Sequence, residues 1–234
     1  TTAIEGSAAA VARLREAGER TVFLTNNAEP TMAQLLDRLA AVGIDAMAED
    51  LLTSPMAAAT LLESGTQVLL VAGPGVAEAV VAAGATITED PDRAEVVIVG
   101  RTKAFDFDLL ALASRALHHG ARLVATNADP TYPTPEGLEP GNGALVAAVA
   151  AAGLVEAVIA GKPHEPMANL VRGRVADVEV IVGDQPLTDG LLAERLGVDF
   201  ALVLSGITTD AEGVVPVPAT VGRDLAAVVA SRLS

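Results

Sequence analysis

Hydrophobic residues along this chain fall into short runs, separated by longer stretches that are rich in alanine and leucine. Six of these runs have the length and the β-branched content of buried strands: TVFLTNN, QVLLVAG, EVVIVG, RLVATN, VEVIVGD and FALVLSG. The stretches between them have the length and composition of helices. Because this alternation is typical of βαβ units, the pattern predicts an α/β fold built on parallel sheets.

Turn-forming residues indicate where the predicted helices begin and end. Ser54 stands before Pro55, which predicts a helix with Ser54 as its N-cap and proline in its first turn. Gly43 and Gly84 stand where two helices are predicted to end. The segment NADPTYPTPEGLEPGNG, residues 127–143, has no periodicity and is predicted to be a long loop. Such a loop inside a compact domain is usually functional or a domain boundary.

Composition narrows the choice of partners. The 234 residues are 51% hydrophobic and 2% aromatic, carry a formal net charge of −15 and include no cysteine. A chain of this length can bury the core of one large domain or two small ones. The negative charge predicts no nucleic-acid partner, because the phosphate backbone would be repelled. With no disulfide framework, no membrane-length apolar run and no apolar leader, the sequence predicts a cytoplasmic protein without a membrane partner.

Three polar residues end the first strand-like run. Thr25, Asn26 and Asn27 would lie at the carboxyl end of a strand, where open α/β sheets bind their ligands. A cluster of residues that caps the next helix, ahead of Pro30, would have the same composition. Both interpretations stay open at this point.

Two further segments bring charge to strand ends. Lys162 stands between glycine and proline after a short apolar run, although an isolated lysine is usually a solvated surface charge. Asp184 and Asp189 follow the run VEVIVG. Burying unpaired carboxylates is costly, so we expect a cationic partner for them. Together with residues 25–27, these groups are suited to bind a phosphate and a hard cation.

In this order the segments resemble the second, third and fourth motifs of the haloacid dehalogenase-like (HAD) hydrolases. The matching residues are Thr25-Asn26-Asn27, Gly161-Lys162-Pro163, and Gly183-Asp184 through Thr188-Asp189. With residues 127–143, the chain is closer still to subfamily IIA, whose large-cap members include nitrophenylphosphatase-like, phosphoglycolate and glycerol-3-phosphate phosphatases. The resemblance covers nearly the whole chain. It implies a Rossmann-like parallel-sheet core of residues 1–65 and 156–234, with an inserted α/β cap of residues 66–155.

The resemblance also implies an activity: magnesium-dependent hydrolysis of a small phosphate monoester through an aspartyl-phosphate. Asp184 would hold the metal, and Asp189 would support that site or orient Lys162. Thr25 would hydrogen-bond the transferring phosphoryl group, Asn26 would line the same strand end, and Lys162 would neutralise charge. The residues expected to contact the small phosphorylated metabolite are Asn27, Asn127, Asp129, Tyr132 and Asn142. A homodimer through the cap is a further implication.

The family's first motif, an Asp-x-Asp that supplies the nucleophile after an apolar strand, has no match of that kind here. An Asp-x-Asp at Asp106 and Asp108 precedes a leucine-rich helix and is interpreted as that helix's N-terminus. In the family the missing strand lies between those ending at Thr25 and Asp184, and its loss would leave two strand edges unpaired. We therefore expect the nucleophile upstream of Thr1. The alternative is a catalytically inactive HAD-like protein that binds phosphate or serves assembly.

Two weaker patterns remain. Gly73 and Gly75 partly match a dinucleotide fingerprint, but the third glycine is absent and Pro74 intervenes, which favours a plain βα turn. Cationic residues in the predicted cap either guide an anionic substrate or form a solvated face, and these are Arg101, Lys103, Arg115 and Arg122.

Overall fold

The structure is a computed structural model and describes residues 3–134 and 136–233. These residues form two compact units. Unit 1 contains residues 3–23, 33–51 and 171–233, and unit 2 contains residues 24–32, 52–134 and 136–170. The boundaries of the core and cap expected from the resemblance, after residues 65 and 155, stay a prediction.

Helices follow the alanine- and leucine-rich stretches. In chain order they are α1 (Ser7–Glu16), α2 (Met32–Ala40), α3 (Ser54–Ala59), α4 (Pro74–Ala82), α5 (Phe107–His118), α6 (Asn142–Gly153), α7 (Glu165–Arg174), α8 (Leu191–Leu196) and α9 (Leu225–Arg232). A 3₁₀ turn covers Ala48–Asp50, and a π-helical turn covers Pro186–Gly190. In the part of the chain that the structure describes, none of these helices combines the length and the apolarity that a membrane crossing requires.

Strands are short and mostly parallel. In chain order they are β1 (Phe23–Thr25), β2 (Leu51–Thr53), β3 (Gln67–Val71), β4 (Thr86–Ile87), β5 (Val96–Val99), β6 (Arg122–Ala125), β7 (Thr131–Thr134), β8 (Gly137–Pro140), β9 (Val158–Ile159), β10 (Val180–Gly183), β11 (Asp199–Val203) and β12 (Thr220–Gly222).

Within residues 3–134 and 136–233, the strands form four sheets. Strands β4-β3-β5-β6-β9 make a parallel five-stranded sheet, strands β10-β11-β12 make a parallel three-stranded sheet, and β1-β2 and β7-β8 are pairs. Each of the six runs identified in the sequence contains a strand, namely β1, β3, β5, β6, β10 or β11. The predicted α/β class with parallel sheets is therefore confirmed.

One core cluster of unit 2 lies between its parallel sheet and helices α5 and α6. Val97 and Val99 of β5 are fully buried, as the continuous apolar run EVVIVG predicts for a strand inside a parallel sheet. Alanines on α5 let α6 approach closely, and Gly153 of α6 has no room for a Cβ beside Leu117. This packing fixes the carboxyl ends of β5 and β6 at one edge of the sheet.

The core of unit 1 is smaller. Ile181, Phe200 and Leu202 of β10 and β11 are buried together with Ala193 of α8. Because β10 and β11 are parallel, the segments that follow them leave the sheet at the same edge. Asp184 begins the first of these segments.

The long loop predicted for residues 127–143 contains an element that its sequence did not indicate. Residues 131–134 and 137–140 form an antiparallel hairpin in which Tyr132 faces Glu139. Prolines normally argue against a strand because they lack a donor N–H. A two-stranded ribbon has no second neighbour, so it tolerates proline where the sheet interior would not.

One predicted helix boundary is wrong. The N-cap of α3 is Thr53, whose hydroxyl accepts a hydrogen bond from the N–H of Met56 at 3.3 Å, and Ser54 is the first helical residue. Proline is in the first turn, as predicted. The predicted ends at Gly43 and Gly84 are confirmed, since both glycines adopt the left-handed conformation, with φ of 80° and 77°.

Candidate functional site

The polar segment after β1 folds into turns that its own side chains stabilise. The Thr25 hydroxyl accepts the N–H of Asn27 at 3.0 Å, and the Asn27 side-chain oxygen accepts the N–H of Glu29 at 3.3 Å. These bonds end before α2 begins, so the interpretation of Thr25 and Asn27 as caps of that helix is wrong. Because the Thr25 hydroxyl accepts in this bond, it still has its own proton to donate.

Asn26 holds the loop that contains Lys162. Its side-chain oxygen accepts the N–H of Lys162 at 2.9 Å, and its amide nitrogen donates to the Lys162 carbonyl at 3.1 Å. The same nitrogen lies 3.4 Å from a carboxylate oxygen of Asp129. A single side-chain amide therefore fixes both main-chain groups of a lysine that is 136 residues away in sequence.

Gly161 is confined by the same contacts. A Cβ at this position would collide with the carbonyl oxygen of Thr126 and the side-chain oxygen of Asn26, and would come within 3.0 Å of the Ser54 Cβ. The Gly-Lys-Pro segment forms a turn, as predicted, in which the N–H of His164 donates to the Gly161 carbonyl at 2.9 Å. Glycine is thus required here because the backbone passes directly over its neighbours.

Asn26 is itself anchored through its carbonyl oxygen. This oxygen accepts two hydrogen bonds, from the Ser54 hydroxyl at 2.9 Å and from the Asn127 amide at 2.7 Å. Asn127 is 4% exposed, and its side-chain oxygen accepts the N–H of Asp129 at 3.1 Å. The segments after β1 and β6 are therefore held together by side-chain amides.

Asn142 continues this network at the start of α6. It is 2% exposed, and its amide donates to the Asn127 carbonyl at 2.8 Å, the Val99 carbonyl at 3.3 Å and the Thr126 hydroxyl at 3.3 Å. Its side-chain oxygen is buried with no hydrogen-bond partner within the described part of the chain. Asn127 and Asn142 thus bond to the protein's own main chain, and their contact with substrate stays a prediction.

The sequence left Arg101 either guiding an anionic substrate or lying on a solvated face, and it did not indicate the contacts that this residue makes. It follows β5 and is 9% exposed, and its guanidinium donates to Glu29 and to Glu139, each at 2.6 Å. The same guanidinium lies over the Tyr132 ring, 4.0 Å from the ring centroid. The signal in the sequence was its position directly after the apolar run EVVIVG. The other cations grouped with it in the sequence, Lys103, Arg115 and Arg122, are exposed.

The glycine pair at the start of α4, Gly73 and Gly75, packs against the protein's own backbone. The N–H of Gly75 donates to the Glu29 carbonyl at 3.0 Å. A Cβ on Gly75 would collide with the carbonyl of Pro30 and lie 2.8 Å from that of Ala28. The space that a dinucleotide phosphate would need is therefore filled by residues 28–30. The plain βα turn is confirmed.

Asp106 also has a local role. Its side chain caps α5 by accepting the N–H of Leu109 at 2.8 Å, as the interpretation of this Asp-x-Asp as a helix N-terminus predicts. Asp108 lies in the first turn of the same helix.

In unit 1, Asp189 is buried within the π-helical turn that follows β10. It is 5% exposed, and one of its carboxylate oxygens accepts the N–H of Gln185 at 3.1 Å. Gly183 has no room for a Cβ because the Asp189 carboxyl occupies that space. Backbone donors thus offset part of the cost of burying this carboxylate.

Asp184, at the end of β10, holds the segment that follows β11. One of its carboxylate oxygens accepts the N–H of Ile207 at 2.7 Å, and its main-chain carbonyl accepts the N–H of Thr208 at 3.2 Å. A Cβ on Gly206 would collide with the same carboxyl group. This half-buried carboxylate is therefore held in place at a strand end.

The predicted site residues lie in two groups. Unit 1 contains Asp184 and Asp189, and unit 2 contains the other eight: Thr25, Asn26, Asn27, Asn127, Asp129, Tyr132, Asn142 and Lys162. Within residues 3–134 and 136–233, no group of three or more His, Asp or Glu side chains is placed to hold a metal ion.

Comparisons with known proteins agree with this arrangement of motifs. The haloacid dehalogenase-like hydrolase family matches residues 1–86, and a second HAD-hydrolase-like family matches residues 159–228. The D-glycerol 3-phosphate phosphatase of Mycobacterium tuberculosis is 35% identical over 227 residues, which are 92% of this chain and 64% of the relative. The 5'-nucleotidase YutF of Bacillus subtilis is 31% identical over 211 residues, which are 88% of this chain and 82% of the relative.

Structural similarity leads to the same family. A crystal structure of glycerol phosphate phosphatase from Mycobacterium tuberculosis in complex with magnesium superimposes with a TM-score of 0.87 and 33% identity. The match covers 96% of this chain and 70% of that one. The chain belongs to the haloacid dehalogenase-like hydrolases, in the subfamily IIA branch to which these named phosphatases belong.

Proposed function

We propose that the protein is a magnesium-dependent phosphatase that hydrolyses a small phosphate monoester through an aspartyl-phosphate. Its relatives are named as phosphatases of glycerol phosphate and acid sugars and as a 5'-nucleotidase, which are all activities on small phosphate esters. The chain spans 64% of the length of the mycobacterial relative. The activity proposed here is that of the whole protein.

The observation that carries this proposal is the contact between Asn26 and Lys162. Two hydrogen bonds, at 2.9 and 3.1 Å, hold the main chain of Lys162 beside the segment that ends β1. Carboxyl ends of strands are where α/β sheets bind their ligands. A lysine whose backbone is fixed there can place its ammonium on a phosphate with little reorganisation.

Asp184 is the metal ligand in this proposal. It fits that role as a carboxylate fixed at a strand end, since one oxygen accepts the N–H of Ile207 and oxygen ligands are what magnesium prefers. In this proposal Asp184 supplies one oxygen ligand of the magnesium ion. The remaining ligands and the nucleophile come, in this proposal, from an Asp-x-Asp before Thr1. When bound, the metal would neutralise charge on the phosphate.

The other residues have narrower roles in this proposal. Thr25 donates a hydrogen bond from its hydroxyl to the phosphoryl group, and Asp189 supports the metal site or orients Lys162. The remaining residues contact the substrate or hold the residues that contact it. They are Asn27, Asn127, Asp129, Tyr132 and Asn142. A cytoplasmic location and a homodimer through the cap complete the proposal.

Replacing Asp184 with asparagine tests the metal assignment. The asparagine oxygen can still accept the N–H of Ile207, so we expect the fold to persist while the ligand charge is lost. Magnesium affinity of the whole protein should weaken by at least about 10-fold, the lower range for lost support at a metal site. Isothermal titration with magnesium and the magnesium dependence of nitrophenyl phosphate hydrolysis measure the effect.

Asp210 offers a matched control for this change. Its exposed carboxylate also accepts a main-chain N–H, that of Glu212 at 3.0 Å. Asp210→Asn should leave magnesium affinity and turnover unchanged. If Asp184→Asn behaves like this control, Asp184 is not a metal ligand. If the unmodified whole protein binds magnesium and phosphate but releases no phosphate from any ester, the catalytically inactive alternative is correct.

A further inference from the structure

Arg101 connects three elements of unit 2 through one side chain. Its guanidinium contacts Glu29 on the segment after β1, Glu139 on β8 and the ring of Tyr132 on β7. Both ion pairs are 2.6 Å long, which is short even for hydrogen bonds between charged groups. Such a forked, stacked arrangement uses features of arginine that lysine lacks.

The two hairpin contacts fall on a single pair of residues. Tyr132 and Glu139 face each other across the β7–β8 ribbon, so Arg101 holds the hairpin at one position on both strands. The base of the hairpin is held separately. There the N–H of Gly141 donates to the Pro130 carbonyl at 2.9 Å and the N–H of Gly143 donates to the Asp129 carbonyl at 2.9 Å.

The hairpin needs this additional support. A two-stranded ribbon is only marginally stable by itself, and this one exposes Leu138 by 73%. Bonds at its base fix where the hairpin starts. Arg101 acts further out, at the rung of Tyr132 and Glu139.

The third contact of Arg101 is to a fixed part of the protein. Glu29 lies two residues after Asn27, and its main chain is bonded at both ends, since its N–H donates to Asn27 and its carbonyl accepts the N–H of Gly75. The Glu29 side chain also approaches Gly73, whose Cβ would lie 3.2 Å from the Glu29 Cγ. Arg101 therefore links the hairpin to a segment that is continuous with residues 25–27.

We propose that Arg101 is a specificity-determining positioning residue, which holds the β7–β8 hairpin at a fixed distance from the Thr25–Asn27 segment. The inference rests on the proposed function. The hairpin and residue Asp129 at its base act on the non-reacting part of the phosphate ester, and Arg101 fixes their placement before the ester arrives. Preorganisation of this kind increases affinity for the ester that fits and not for others.

The first test observes the hairpin directly. Tyr132 is the one tyrosine in the sequence, and there is no tryptophan, so 3-fluorotyrosine gives this ring its own ¹⁹F resonance. A Tyr132→Phe variant identifies that resonance if residues before Thr1 add others. We expect Arg101→Lys to shift and broaden it, because lysine cannot stack on the ring and reach both carboxylates. An unchanged resonance would overturn the proposed contact.

The second test measures discrimination among substrates by the whole protein. The esters are glycerol 3-phosphate, adenosine 5'-monophosphate and glucose 6-phosphate, with nitrophenyl phosphate as the reference. We expect Arg101→Lys to reduce the ratio of kcat/KM between the best and the worst of the three esters by about 10-fold, chiefly through KM of the best. Its kcat with nitrophenyl phosphate should stay within about 2-fold of the unmodified protein, since the reacting groups are not altered.

Two controls separate this role from general damage. Arg115→Lys makes the same chemical change on the exposed face of α5 and should alter neither the resonance nor the ratio. Glu139→Gln removes the charge of this one side chain but keeps its shape, and it should reproduce part of both effects of Arg101→Lys. An equal loss on every ester, nitrophenyl phosphate included, would show a structural role only and overturn the proposal. An unmodified protein that hydrolyses no ester would instead refute the proposed function, while the Tyr132 resonance would still report on the contact.

Discussion

Replacing Gly161 with alanine is expected to lower the free energy of unfolding by about 1–3 kcal/mol, the usual cost of forcing extra volume into a packed site. The new Cβ would collide with oxygens of Thr126 and Asn26 and crowd Ser54 at 3.0 Å. Because the Asn26 oxygen also accepts the N–H of Lys162, relief of the clash must displace that lysine. A displacement near 1 Å costs about 100-fold in rate, so kcat/KM for nitrophenyl phosphate should fall by about that factor.

Gly173 provides a control of opposite sign. It lies in α7, and a Cβ there would meet no atom within 4 Å. Gly173→Ala should therefore raise the free energy of unfolding by about 0.4–1 kcal/mol, because alanine restricts the unfolded chain. Chemical denaturation of both variants measures the change in the free energy of unfolding. Phosphatase assays then show whether the change also lowers activity, which we expect for Gly161→Ala alone. Equal stability of Gly161→Ala and the unmodified protein would contradict the close packing around Gly161.

Replacing Lys162 with alanine is expected to lower the catalytic rate more than Gly161→Ala does. The contacts with Asn26 use the main chain of Lys162, so the loop should keep its conformation when the side chain is shortened. Loss of the ammonium should lower kcat/KM for nitrophenyl phosphate by about 10²–10³-fold, the range for removing one preorganised group that stabilises the transition state. Lys162→Arg should lose less, because it retains the charge.

Lys103, the other lysine of the sequence, is the control for this prediction. Lys103 has a side chain that is 73% exposed and lies 3.7 Å from Glu139, a pair of small energetic value at the surface. Lys103→Ala should therefore hydrolyse nitrophenyl phosphate at the normal rate. If Lys162→Ala and Lys162→Arg lose equal activity, the shape of the side chain matters more than its charge.

Hydrophobic patterning was sufficient to predict the parallel sheets, since each of the six continuous apolar runs overlaps a strand and such runs are typical of parallel sheets. The motif residues were also visible, because each follows such a run. The sequence did not indicate which residue each of them contacts. Asn26 and Lys162 are 136 residues apart, and nothing local to either one indicates their contact.

The features that sequence reasoning missed share a physical cause. The β7–β8 hairpin contains Pro133 and Pro140, so its local pattern predicts a loop, and only its antiparallel pairing makes it a ribbon. The sequence left Arg101 either on a solvated face or guiding an anionic substrate, and it did not indicate the two carboxylates and the aromatic ring that make its burial favourable. Both depend on long-range contacts, which residue type and spacing do not encode.

The contacts that hold Lys162 in place have a consequence for how the protein responds to its surroundings. Asn26, Asn127 and Asn142 are uncharged over the whole physiological pH range, and their bonds to main-chain groups are not screened by dissolved ions. Acidification or added salt should therefore leave this part of the framework unchanged while altering every group that carries charge. A pH–rate or salt–rate profile of the protein would then report the chemistry of the bound phosphate and its charged partners, without a contribution from loosening of the loop that contains Lys162.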